Sequence, residues 1–193
     1  MSRHGVLAIA CVSAWLTACS AGAYSSVDEI PEDPAPAGEP GHFGLGVFAH
    51  RSPYVGDGAA RIMGDLRSAM PGAPRSVKLA YAILAPSYVT IRVHRGGIDF
   101  DDLIWREGTI DDPRPAHGTT ERDAAGLFSS DDVPWAMVPA LRRRALDAAA
   151  VEGGRVSSLM VSTMNGALRI TVSVHGTRHD ATIVFDGKGE RVD

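Results

Sequence analysis

The sequence predicts an α+β fold of two helix-plus-three-strand units, with the helices packed on antiparallel sheet. Three observations carry that prediction. Apolar residues recur at three- and four-residue steps in two stretches, one opening near Asp57 and one near Pro139. Each stretch is followed by three short runs rich in β-branched residues and bounded by Gly, Pro, Asn and Ser. The two blocks also match each other in sequence. Thr90-Ile91-Arg92-Val93-His94 lies against Thr171-Val172-Ser173-Val174-His175 at an offset of 81, and Leu103-Ile104-Trp105 lies against Ile183-Val184-Phe185 at an offset of 80. Duplication explains this. Two unrelated hairpins of alternating Val and Thr would also produce it.

In chain order, the first element is an address. Arg3 supplies a basic start, and the apolar run from Val6 to Leu16 is eleven residues long, short of the roughly 20 that a bilayer core requires. Leu16-Thr17-Ala18-Cys19 with Ser20 next resembles the lipobox of bacterial lipoproteins. That resemblance implies a signal peptide over residues 1–18 and lipidation of Cys19, with diacylglycerol and palmitate chains holding the mature protein on a membrane. Residues 19–41 then read as a disordered tether, because Pro31, Pro34, Pro36 and Pro40 with acidic and small residues between them bury too little apolar surface to offset ordering.

Residues 42–193 make the α+β domain. Phe43, Leu45 and Val47 alternate with small residues, as a short edge strand or an ordered lead-in does. Ala59, Ile62, Leu66 and Ala69 make a helical stripe with Asp57 as N-cap, and Pro71-Gly72 ends it. Three strands follow, at Val77 to Leu84, Tyr88 to His94 and Ile98 to Trp105. In the middle one Val89, Ile91 and Val93 face one side and Thr90, Arg92 and His94 the other. Arg106 to Asp132 reads as one long polar connection. Ser129, Ser130, Asp131 and Asp132 are N-cap candidates for a second helix, striped by Val138, Leu141, Ala145 and Ala149, whose regular part begins at Pro139. Strands at Val156 to Thr163, Leu168 to His175 and Asp180 to Phe185 complete the second unit, joined by Asn165-Gly166 and Gly176-Thr177. The repeats span 53–110 and 133–193. This order resembles the tandem units of PepSY-like domains and of β-lactamase-inhibitor-like proteins, and Asp186-Gly187-Lys188-Gly189-Glu190 is similar to the acidic-Gly turn after the last PepSY strand. The resemblance implies a fold rather than an activity.

Charge and cysteine content narrow the function. Five of the 23 acidic residues and one of the 19 basic residues precede Gly41, so the rest of the chain is formally neutral, which argues against nucleic acid as a partner. Both cysteines, Cys11 and Cys19, lie in the leader or at its end, which leaves the domain without a thiol nucleophile, disulfide or cysteine zinc site.

No phosphate loop, dinucleotide fingerprint, nucleophile elbow or zinc helix is present, and Ser157 and Ser158 lie in a strand without the turn that exposes a nucleophile. No catalytic residue, metal or cofactor is assigned. His94, His175 and His179 suit solvated strand ends better than a metal site, because spacing alone does not make ligands converge. Asp99, Asp101 and Asp102 read as solubilising charges at a hairpin end. The candidate partner contacts are Tyr88, Trp135, Arg142, Arg143 and Arg144: aromatics anchor interfaces, and the arginines offer charge to an acidic partner, anionic lipid or glycan carboxylate. A solvated helix face is the plainer account of the arginines, since consecutive residues point in different directions. Trp105 reads as core. The expectation is a non-enzymatic lipoprotein, anchored in the cell outer membrane and facing the periplasm, that binds a protein of the cell envelope as an inhibitor or immunity protein. A structural accessory of an envelope assembly or secretion complex is the alternative.

Overall fold

The computed structural model describes residues 52–72 and 74–192. The signal peptide, Cys19, the tether and the strand expected around Phe43 to Val47 lie outside the described residues.

The described chain is α+β, with one antiparallel sheet and a few helices. Helix α1 (Gly58–Ser68) buries Ala59, Ile62 and Leu66 of the predicted stripe together with Met63, whereas Ala69 stands at its C-cap and is exposed. Asp57 stands at its N-cap but makes no capping hydrogen bond, and its carboxylate lies 3.6 Å from Arg61, one turn along. The helix begins at a glycine for a steric reason: a Cβ on Gly58 would lie 2.1 Å from the Ser52 carbonyl oxygen. Just before it, the buried Tyr54 hydroxyl donates to the Leu84 carbonyl at 2.6 Å, and desolvation raises its pKa.

Strands β1 (Lys78–Leu84), β2 (Tyr88–Gly96) and β3 (Asp99–Arg106) follow close to their predicted bounds. The connection after them is not a single loop. It contains β4 (Thr109–Ile110), β5 (Arg114–Pro115), α2 (Glu121–Ala125) and β6 (Phe128–Ser129). Glu107 at φ 49° and Gly108 at φ 93° turn β3 back into β4, a two-residue hairpin turn built with a Glu where Asn or Asp is usual. Ser129 caps a single 3-10 turn (Ser130–Asp132) instead of a helix, with Asp132 reciprocating, and a second turn (Trp135–Met137) leads into α3 (Val138–Ala149). Pro139 lies in the first turn of α3, where its missing N–H costs nothing. Strands β7 (Arg155–Met164), β8 (Ala167–His175) and β9 (Ala181–Asp186) end the fold, and Asn165 and Gly166 both take positive φ in the β7–β8 turn.

The strand order is β4-β3-β2-β1-β7-β8-β9, with β5 added to β3 and β6 to β1. Because β1 pairs with β7, Ile83 opposite Met160 marks the middle of the sheet. Both long helices lie on one face. Ile62 and Leu66 of α1, Leu141 and Ala145 of α3 and the inward residues of the six long strands form one continuous buried cluster. Across it, Val89 opposes Trp105 and Ile91 opposes Leu103 on β2–β3, while Ile170 opposes Phe185 and Val172 opposes Ile183 on β8–β9. The register slips once in β1 between Leu79 and Tyr81, and once in β7 between Val156 and Ser158.

Other segments pair with both edges of the sheet, along much of β3 and at the C-terminal end of β9. On β3, the backbone of Asp111 donates to Ile104 and that of Ala116 to Phe100, between the β4 and β5 pairings. On β9, Arg191 bridges Phe185 and Val192 donates to Val184.

Candidate functional site

Strand alternation sends every second side chain to the face away from the helices. Pairing register places these residues in rows. Ile104, Thr90, Ile83, Met160, Thr171 and Val184 lie side by side across six strands, from β3 to β9. All are partly or well exposed, Met160 to 38%. The result is an apolar and β-branched band across the middle of a face that, among the described residues, no long helix covers. Polar rows flank it, with Arg106 opposite Tyr88 on one side and Asp102, Arg92 and Tyr81 on the other.

Tyr81, Arg92 and Asp102 form the most ordered group on this face. The Arg92 guanidinium donates from Nε and Nη2 to the two Asp102 carboxylate oxygens, both at 2.8 Å, and its centre lies 4.9 Å from the Tyr81 ring. The hydrogen bond to Asp102 raises the Arg92 pKa, and burial raises that of Tyr81. Such a fork-to-fork pair is rigid as well as charged. The Asp cluster is thus not merely a solvated hairpin end. Asp102 locks Arg92, and Asp101 accepts from Arg95 at 2.7 Å. The sequence hides this because the partners are brought together by strand register.

One end of the face is covered. Phe100 is buried on the side away from the helices, its ring 5.2 Å from that of His94, while the backbone of Ala116 and the side chain of Thr119 bond back to Phe100 and Ile98. His94 Nε2 lies 3.1 Å from the Gly97 carbonyl, whereas His175 pairs with Asp180 at 2.6 Å. Strands β1 and β7 lie between these two histidines, and the pairing register puts them at opposite ends of the sheet. Among the described residues no group of three or more His, Cys, Asp or Glu is placed to hold a metal ion.

The residues singled out from sequence do not converge. Tyr88 lies on the open face, 36% exposed. Trp135 is on the helix side, half-buried against the core, with its indole N–H donating to the Ser130 carbonyl at 2.8 Å. Its indole N–H therefore has a partner within the fold. The three arginines diverge. Arg142 is half-buried near Tyr54, Arg143 is exposed, and Arg144 donates to the Gly189 carbonyl at 2.6 Å with its guanidinium 5.4 Å from the Phe185 ring. Arg144 holds the closing turn, in which Asp186 accepts from the backbones of Lys188 and Glu190. Ser157 occupies the β7 irregularity and donates to the Ser173 carbonyl.

Sequence reasoning missed Ile83, Ile104 and Met160. Their signal was present as adjacent apolar residues, as in Leu103-Ile104-Trp105, which break strict alternation and place apolar groups on both faces.

A cavity of about 280 Å³ lies on the helix side, lined by Met63, Met70, Val77, Ile91, Val133 and Trp135, with Arg67 and Asp131 also in its wall, 3.7 Å from each other. It is slightly smaller than the roughly 300 Å³ at which drug-sized ligand sites begin. Among the described residues no helix is long and apolar enough to cross a membrane.

No family model matches the chain, and no curated protein matches it. Among solved structures, a putative lipoprotein from Clostridium difficile 630 is similar over 70% of this chain and 88% of its own, at 10% identity and a TM-score of 0.49.

Proposed function

We propose that this chain is a lipid-anchored protein of the bacterial envelope whose domain binds another protein without catalysing a reaction. The observation that carries the reading is the apolar band on the helix-free face. A monomer rarely leaves contiguous apolar surface in water unless something docks there, and flanking Tyr and Arg are the residue types that anchor protein interfaces. The anchor rests on Leu16-Thr17-Ala18-Cys19, and Ser20 after the cysteine favours the outer membrane, facing the periplasm, where the cell has two. An inhibitor or immunity protein is the form this function takes: the domain holds a hydrolase or toxin at the membrane with its sheet.

The same reading takes the domain as two copies of a helix-plus-three-strand unit. The core pairs support this, because Val89 with Trp105 and Ile91 with Leu103 correspond to Ile170 with Phe185 and Val172 with Ile183 at the offsets found in the sequence. The irregularities after Leu79 and after Val156 fall at corresponding places in the first strand of each unit.

Affinity capture from envelope extracts tests the function, using the domain and a Met160→Arg variant side by side. A hydrolase or toxin enriched by the first and lost by the second supports an inhibitor. Enrichment of assembly-machine subunits assigns the structural role instead, and a partner indifferent to Met160→Arg removes the open face from consideration. Cys19→Ala should abolish lipid labelling and leave the precursor uncut; unchanged processing sinks the anchor.

A further inference from the structure

The open face is chemically lopsided. On β8–β9, Arg169 lies opposite Asp186, and on β2–β3, Arg92 is clasped by Asp102. Arg106 differs. Its cross-strand neighbour is Tyr88, and among the described residues it makes no ion pair. Both side chains are exposed, and Ile104 and Thr90, the next outward positions on their strands, begin the apolar band. A cation without a carboxylate, a tyrosine and an apolar strip therefore share one corner.

We infer that this corner takes a loop of the partner protein that presents a carboxylate beside an apolar side chain. The inference rests on the protein-binding reading above and names the chemistry of the partner. The carboxylate meets the Arg106 guanidinium, whose planar fork favours paired hydrogen bonds, and the apolar side chain lies on Tyr88, Ile104 and Ile83. The corresponding corner on β8–β9 does not serve, because Asp186 there repels a carboxylate and its oxygen is already taken by two backbone N–H groups.

The test uses the full chain, purified in detergent and immobilised, with a phage-displayed library of random cyclic peptides as the probe. Selected peptides should carry Asp or Glu next to an apolar or aromatic residue. Their Kd should rise about tenfold or more on Arg106→Glu and on Tyr88→Ala, as expected of interface anchors. Arg143→Glu, on the exposed side of α3, should leave Kd within about twofold, as for a surface change away from the contact. All three positions are exposed, and thermal unfolding checks that each variant folds. Basic peptides, or binders that survive Arg106→Glu, overturn the assignment of this corner and leave the broader protein-binding reading standing. A library without binders also overturns the assignment, and envelope capture then decides the broader reading by itself.

Discussion

Residues 78–106 and 155–186 carry similar side chains toward the helices, whereas away from them Thr90 and Ile104 match Thr171 and Val184 but the flanking polar positions differ. Inward, Trp105 has Phe185 as its counterpart, Leu103 has Ile183, and Ile91 has Val172. Outward, the Arg92–Asp102 clasp faces the counterpart pair Ser173 and Thr182, and Tyr88 with Arg106 faces Arg169 with Asp186. Volume and apolarity constrain the inner set, because a packed interior tolerates little change in either. The outer polar positions stand in or near water and are free of that constraint, and they differ.

The sharpest way to break this comparison is to truncate its matched inner members. Trp105→Ala and Phe185→Ala should each cost about 3–5 kcal/mol in urea unfolding, in one cooperative transition, because both belong to the same buried cluster. Two transitions, or one mutation without effect, would show that the two halves do not share a core. A smaller effect comes from copying the outer residues of one half onto the other. Arg92→Ser together with Asp102→Thr should cost about 1–2 kcal/mol, and Arg92→Ser alone should cost more, since it strands a partly buried carboxylate. A double-mutant cycle by chemical denaturation reads the coupling.

Arg144 and Arg143 sharpen the contrast between neighbours on one helix. Arg144→Ala should destabilise by about 1–2 kcal/mol through loss of the Gly189 bond and of its packing on Phe185, with Arg143→Ala within about 0.5 kcal/mol of the parent. The smallest effect belongs to pH. The backbone N–H of Glu190, helped by that of Lys188, holds the Asp186 carboxyl below its ordinary 3.8. A lowered carboxylate pKa contributes stability that is complete above about pH 4 and fades as pH falls through the lowered value. Asp186→Asn should therefore give a shallower loss of stability in that acid range, followed by circular dichroism across a pH series.

Much of the fold was legible in the sequence because the inner face obeys one rule. Buried strand residues recur every second position and buried helix residues every third or fourth, so Val89, Ile91 and Val93, or Leu141 and Ala145, declare themselves locally. The connection from Arg106 to Asp132 did not. Its two-residue strands gain stability from pairing with β3 and β1, not from any pattern of their own, and the Glu107-Gly108 turn lacks the usual Asn or Asp. The candidate site was less legible still. Tyr88 was singled out because aromatic residues advertise themselves, whereas Arg106, Ile83 and Met160 stand out only when strand register sets them side by side. Trp135 and Arg144 carry the residue types of an interface and spend them inside the fold.

The paired sheet edges bear on how this protein can change over evolutionary time. With the backbone of β3 occupied by the chain at Asp111 and Ala116, and the C-terminal end of β9 by Arg191 and Val192, the main chain left for a visitor to join as an added strand is short. The proposed recognition then rests mainly on the side chains of the open face. Its exposed members, such as Met160 and Arg106, can be exchanged singly at little expense to folding, so under the proposed function the lineage is free to follow a drifting target by small steps.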